Sequence, residues 1–188
     1  RLVVQGRLPR REHRSILTMG TGESQLALRI DDLETKWMDQ GIKLAYLPSP
    51  GSVRIRLTAE DKAVAILDEA RMELIVRLAE WVVSEDGRTV EQELAGMMLT
   101  NGWTLAVAES CTGGGLGAAL VAKPGASGYF LGGIQAYSNS VKVAMLGVSG
   151  HGLDRHGAVS EPVARAMAEG VRSRLGSDFG VGITGIAG

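Results

Sequence analysis

Residues 104–120, TLAVAESCTGGGLGAAL, restrict the fold of this chain more than any other stretch. The apolar start, Leu105 to Ala108, reads as a short buried strand. Glu109, Ser110, Cys111 and Thr112 follow in a row, then Gly113, Gly114 and Gly115, then an alanine-rich segment able to form a helix. A strand that ends in nucleophiles and runs through glycines into a helix is a common way to build an active site. The glycines let the backbone come close to a ligand, and a helix start offers unpaired N–H groups to an anion.

The rest of the chain divides around residues 84–88, Ser-Glu-Asp-Gly-Arg, a turn-rich stretch that reads as a domain boundary. Upstream, residues 15–19 form a short strand after an arginine-rich start: Arg1, Arg7, Arg10, Arg11 and Arg14. That start, residues 1–14, reads as a solvated linker rather than a nucleic-acid arm, since it lacks interleaved aromatics. In residues 23–38, Leu26, Ile30, Leu33 and Trp37 fall at helical spacing. Residues 42–47 are a strand closed by Pro48-Ser49-Pro50-Gly51, and residues 53–57 alternate apolar side chains with Arg54 and Arg56. Thr58 is the expected N-cap of a long helix to about Trp81. Residues 15–84 are thus a small α+β domain of order α-β-β-α, similar to K-homology-type RNA-binding modules. Gly20 and Gly22 have the wrong spacing for the backbone-clamping Gly-x-x-Gly loop of such modules.

Downstream, Thr89 with Gln92 forms a capping box for a helix that stops at Asn101-Gly102. Residues 129–137 are a strand interrupted by Gly132-Gly133, and residues 139–145 a short helix. Residues 149–157 form a loop holding His151 and His156. Ser160 caps a helix to Leu175, and residues 179–184 make a last strand. Strands alternating with helices define an α/β layered domain over residues 89–188. Both ends of the chain read as cut, so this domain is expected to be an incomplete piece of a longer protein.

The net charge of −1 argues against a chain that binds nucleic acid by overall electrostatics. No apolar run approaches a membrane span. The one cysteine cannot form an internal disulfide, in keeping with a reducing cytoplasm.

Two nucleophiles compete in the central stretch. Ser110 stands at a strand end before glycines, and N–H groups around residues 112–114 would serve as oxyanion donors. Its alternative role is a helix cap. Cys111 at a helix start would have a lowered pKa, and its alternative is a small buried residue. Lys142 is a base candidate: Ser138 or Asn139 would cap its helix, and a desolvated lysine near a helix start loses its proton more readily. Tyr137, at the preceding strand end, would relay a proton or hold the lysine. A Ser–Lys pair is a known alternative to Ser–His–Asp. Glu109 has no second ligand at a recognisable metal spacing, so a metal site is not expected.

Taken together, Ala108-Glu109-Ser110-Cys111-Thr112-Gly113-Gly114, Pro124-Gly125-Ala126-Ser127, Ala136-Tyr137-Ser138-Asn139 with Lys142, His156-Gly157-Ala158-Val159-Ser160-Glu161 and Thr184-Gly185-Ile186-Ala187-Gly188 resemble, in order, the CinA C-terminal domain family of nicotinamide-nucleotide amidases. The first half resembles that family's K-homology-like middle domain at Gly22-Glu23-Ser24 and residues 44–51. The resemblance implies hydrolysis of the carboxamide of nicotinamide mononucleotide to nicotinate mononucleotide and ammonia, without a cofactor. It implies Ser110 as nucleophile, Lys142 as its base and Tyr137 as a proton-transfer or positioning partner. Cys111, Thr112, Gly113, Gly114, Asn139, Thr184 and Gly185 would line the substrate. A cytoplasmic homo-oligomer acting on a small nucleotide is expected, and nucleic acid is not an expected partner. The rival reading is a non-enzymatic protein associated with nucleic acid through Arg54, Arg56 and the arginine-rich start. Gly115 and Gly117 depart from the larger apolar residues usual in the family.

Overall fold

The computed structural model describes residues 11–186, which fall into two compact units divided between Glu93 and Leu94. Arg1, Arg7 and Arg10 of the arginine-rich start, and Ala187-Gly188, lie outside the described residues.

The first unit runs β1 (Arg11–Met19), α1 (Glu23–Asp39), β2 (Ile42–Ser49), β3 (Ser52–Glu60), α2 (Leu67–Arg77) and β4 (Val82–Ser84). Its antiparallel sheet has the order β2-β3-β1-β4. Ile16, Ile55 and Leu57 on one sheet face pack against Leu26, Ile30 and Trp37 of α1 and Leu67 and Leu74 of α2. The expected helix α1 is present almost residue for residue. Three other expectations are corrected. β1 begins at Arg11 instead of Ser15, because residues 11–14 pair with residues 57–60 of β3; Arg11 and Arg14 therefore lie in the sheet and not in a linker. Thr58 does not cap a helix, since it is laddered between His13 and Lys43. The chain leaves β3 only at Asp61, which has positive φ, and makes a 3-10 turn before α2 starts at Leu67. Residues 82–84 then return as β4 beside β1, so the order is β-α-β-β-α-β.

The second unit contains α3 (Val90–Asn101, which begins just before the division), β5 (Leu105–Glu109), α4 (Gly115–Val121), β6 (Phe130–Gln135), α5 (Asn139–Leu146), α6 (Gly150–His156), α7 (Glu161–Leu175) and β7 (Phe179–Ile183). The three strands are parallel in the order β6-β5-β7, with β5 central and wholly buried. Helices cover both faces, as parallel sheets require. Successive side chains of a strand point to opposite faces. Leu105 and Val107 accordingly pack with Met98 of α3 and Leu120 of α4. Ala106 and Ala108 pack with Leu146 of α5, Leu153 of α6 and Val163, Met167 and Val171 of α7. The residues expected to be a loop at 149–157 are corrected to α6: Ser149 Oγ accepts from Gly152 N, and buried Leu153 anchors the turn.

The backbone of β7 lies directly under α7. A Cβ on Gly180 would meet the Ala168 carbonyl, and one on Gly182 the Ala164 carbonyl. Gly182→Ala should therefore force α7 away from the sheet and destabilise the fold by about 1–3 kcal/mol, the usual cost of overpacking. Urea denaturation checks this, and a midpoint equal to wild type would contradict it.

Candidate active site

The alternation of β5 decides what the strand end delivers. Glu109 continues the Leu105–Val107 face toward α4, and Ser110, the next residue, continues the Ala106–Ala108 face toward α5 and α7. The ladder persists one step past the strand. Ser110 N donates to Ile183 O at 3.0 Å, and Ala136 N donates to Glu109 O at 2.7 Å. The nucleophile candidate is thus fixed at the carboxyl edge of the sheet. In a parallel sheet ordered second-first-third, ligands bind outside the carboxyl ends where the connections diverge, here between β5 and β7.

Lys142 comes to Ser110 from α5. Ser138 Oγ accepts from Val141 N and Ser138 O from Lys142 N, so the helix begins where the sequence placed its cap. One turn in, Lys142 is only 2% exposed. Its Nζ donates to Tyr137 O at 2.9 Å and lies 3.1 Å from Ser110 Oγ. Both partners are neutral. Burial pushes the lysine below its ordinary pKa, opposed in part by Cys111. Ser110 is 7% exposed, and its Oγ is also within 3.5 Å of Tyr137 O. Tyr137 enters the site through this main-chain carbonyl, while its side chain is 72% exposed.

Glu109 is buried and turns away from Ser110. Its carboxylate accepts from Thr112 Oγ1 at 2.6 Å, Leu116 N at 2.9 Å and Gly117 N at 2.8 Å. Burial works to raise its pKa, but the bonds from Thr112, Gly117, Leu116 and Gly114 outweigh it and hold the group below its ordinary value. The helix start therefore already holds an anion, supplied by the chain itself. Of the donors expected around residues 112–114, those of Gly113 and Gly114 are therefore taken within the turn. Gly113 N donates to Ser110 O at 3.1 Å and Gly115 N to Thr112 O at 3.0 Å. The N–H groups of Cys111 and Thr112 have no partner among the described residues. Gly113 and Gly114 both have positive φ, and Gly114 lies against the Gln135 side chain, so their part is to turn the chain.

The remaining expected residues are placed as follows. Cys111 is a half-buried free thiol, and a Cβ on Gly185 would lie 2.9 Å from its Sγ, so those two residues are neighbours across the β5–β7 edge. Thr184 Oγ1 donates to Ala158 O at 2.7 Å, tying the end of β7 to the segment before α7. Asn139 is exposed at the start of α5. His151 and His156 are exposed on α6. Sequence reasoning missed the structural part of Glu109. The available signal was period-2 alternation from Leu105, which puts residue 109 on the face of the following helix.

In the first unit, three of the arginines proposed for nucleic acid have partners within the chain, while Arg56 is exposed on β3. Arg54 Nη1 donates to Gly87 O, Arg14 pairs with Asp68 and Glu12, and Arg11 pairs with Glu60. Among the described residues no helix is long and apolar enough to cross a membrane.

Comparison with known proteins adds the following. Residues 87–188 match the CinA C-terminal domain family, and residues 13–83 match the damage-inducible protein CinA KH domain family. A CinA-like protein of Parasynechococcus marenigrum is 46% identical over 90% of this chain and 41% of its own length. A nicotinamide-nucleotide amidohydrolase PncC of Shewanella oneidensis is 42% identical over 93% of this chain and 41% of its own length. The chain thus spans about two fifths of the length of the curated relatives it matches.

A buried cation that loses stability when protonated gives a pH signature. With its folded pKa lowered below the unfolded value, Lys142 binds fewer protons folded than unfolded at pH values between the two, so stability rises with pH there. Wild type should gain on Lys142→Met as the pH rises from neutral toward 10.5. Denaturation of both proteins across that range checks the sign; a constant difference would contradict it.

Proposed function

The chain belongs to the CinA family, and from that premise we propose that it hydrolyses the carboxamide of nicotinamide mononucleotide through Ser110 and Lys142. The observation that carries this reading is the contact between a desolvated lysine and a serine hydroxyl at the carboxyl edge of a parallel sheet. A relative named as a nicotinamide-nucleotide amidohydrolase supports the choice of substrate.

Neutral Lys142 accepts the Ser110 proton as Oγ attacks the carboxamide carbon. The carbonyl oxygen becomes an oxyanion, for which Cys111 N–H and Thr112 N–H are the available donors. The lysine, now an ammonium, returns the proton to the amide nitrogen, the C–N bond breaks and ammonia leaves. Water then attacks the Ser110 ester, with Lys142 again as base, releasing nicotinate mononucleotide and the free serine. Tyr137 O holds the lysine nitrogen in place throughout, accepting its N–H while the lone pair faces Ser110. Cys111, Asn139, Thr184 and Gly185 line the substrate around this edge, and Thr112, Gly113 and Gly114 shape the turn. The site works as a cytoplasmic enzyme would need, without a bound cofactor, and the protein assembles as a homo-oligomer. The nucleic-acid reading has less support, because Arg11, Arg14 and Arg54 are held by carboxylates or a carbonyl and only Arg56 of the described arginines it names stands exposed on the sheet without one.

Ammonia release from nicotinamide mononucleotide tests the reading. Ser110→Ala and Lys142→Ala should each lower kcat by at least about a thousandfold, as loss of a nucleophile or its base does elsewhere. Cys111→Ala should keep activity within about tenfold. Loss with Cys111→Ala and retention with Ser110→Ala would reverse the assignment. In wild type, kcat/KM should rise with pH through one ionisation below 10.5, as Lys142 loses its proton.

A further inference from the structure

We infer that Glu109 is a positioning residue for Ser110, acting from the opposite face of the sheet. The inference rests on the serine nucleophile proposed above and not on the identity of the substrate.

Glu109 is 2% exposed, and a carboxylate buried that far must be matched by donors. It is matched by the Thr112 hydroxyl and by the N–H groups of Leu116 and Gly117, which reach back from the far side of the glycine turn. The carboxylate therefore closes a loop whose first member is the residue before the nucleophile. Within that loop Gly113 N binds Ser110 O and Gly115 N binds Thr112 O. On the other side, Ser110 N is held by Ile183 O. The backbone on both sides of Ser110 is thus anchored, and its Oγ is directed to Lys142 Nζ at 3.1 Å. The same arrangement leaves the N–H groups of Cys111 and Thr112 without a partner among the described residues. Glu109 does not act through the charge on Lys142, whose proton affinity answers to burial and to Cys111. Gly117 leaves the room this needs, since a Cβ there would already stand 3.4 Å from Glu109 Oε1.

The test uses a fluorophosphonate, which reports on the serine without the natural substrate. Ser110 Oγ forms a bond to phosphorus, fluoride leaves, and the hydroxyl proton passes to Lys142. Mass spectrometry identifies the adduct, and the time course gives its rate constant and final amplitude. Glu109→Gln cannot accept with both side-chain atoms. It should lower the rate constant for labelling of Ser110 by about a hundredfold, the usual effect of a misplacement of about 1 Å. A residue that only supports folding would lower the rate constant no further than it lowers the folded fraction, which circular dichroism of the same sample measures. Thr112→Val removes one donor and should slow labelling about three- to tenfold, the effect of one ordinary hydrogen bond. It decides the matter if Glu109→Gln does not fold. Folded variants labelled within twofold of the wild-type rate, or a wild type not labelled at Ser110, would overturn the inference. A wild type labelled at Ser110 that releases no ammonia from nicotinamide mononucleotide would sink the proposed substrate and leave the positioning role standing.

Discussion

Lys142 is buried against a hydroxyl and a carbonyl, with a lowered affinity for its proton, and the second unit is arranged so that this can happen. A lysine nitrogen placed this deep usually needs a carboxylate, and a carboxylate would keep it charged. Here, among the described residues, the Lys142 nitrogen meets only Ser110 Oγ and Tyr137 O. Ala106, Ala108 and Ala136 line the sheet face, and α7 lies close enough to β7 that only glycine fits at 180 and 182. Larger residues on that face would lift the helices and admit water. Close packing of this face and burial of the lysine thus occur in the same unit.

The central strand then separates two electrostatic tasks that would interfere on one face. An anion next to Lys142 would favour its charged form, and a helix start favours an anion. Period-2 alternation places Glu109 on the α4 side and Ser110 on the α5 side, although they are adjacent in sequence. The carboxylate satisfies the helix while the sheet stands between it and Lys142. Removing either residue would leave the other in a different environment, which is why the pair is best understood as one unit.

Much of this was legible in the chain itself. The buried strand, the glycine turn and the placing of Lys142 in the first turn of its helix follow from local patterns, and of the two caps those patterns allowed, Ser138 and Asn139, the structure has Ser138. What failed was non-local. Thr58 carries a cap signal, yet two neighbouring strands claim its backbone. Residues 149–157 have glycines and histidines that read as loop, yet Leu153 is drawn into the core and sets a helix there. The three residues of β4 are too few to show a period and exist because β1 has a free edge. Tyr137, expected to relay a proton or hold the lysine, meets the lysine through its carbonyl, and no side-chain pattern can announce a backbone group.

A glycine-rich strand–helix turn suggests a phosphate cradle, because phosphates and helix starts attract. In this turn the start of α4 is already neutralised by Glu109, which stays ionised because hydrogen bonds hold its pKa below the ordinary value. A phosphate brought there would meet a buried negative charge. The N–H groups of Leu116 and Gly117, which a phosphate would need, are already taken by that carboxylate. The turn thus shares the glycine content of a phosphate-binding loop and differs from one in already holding an anion of its own.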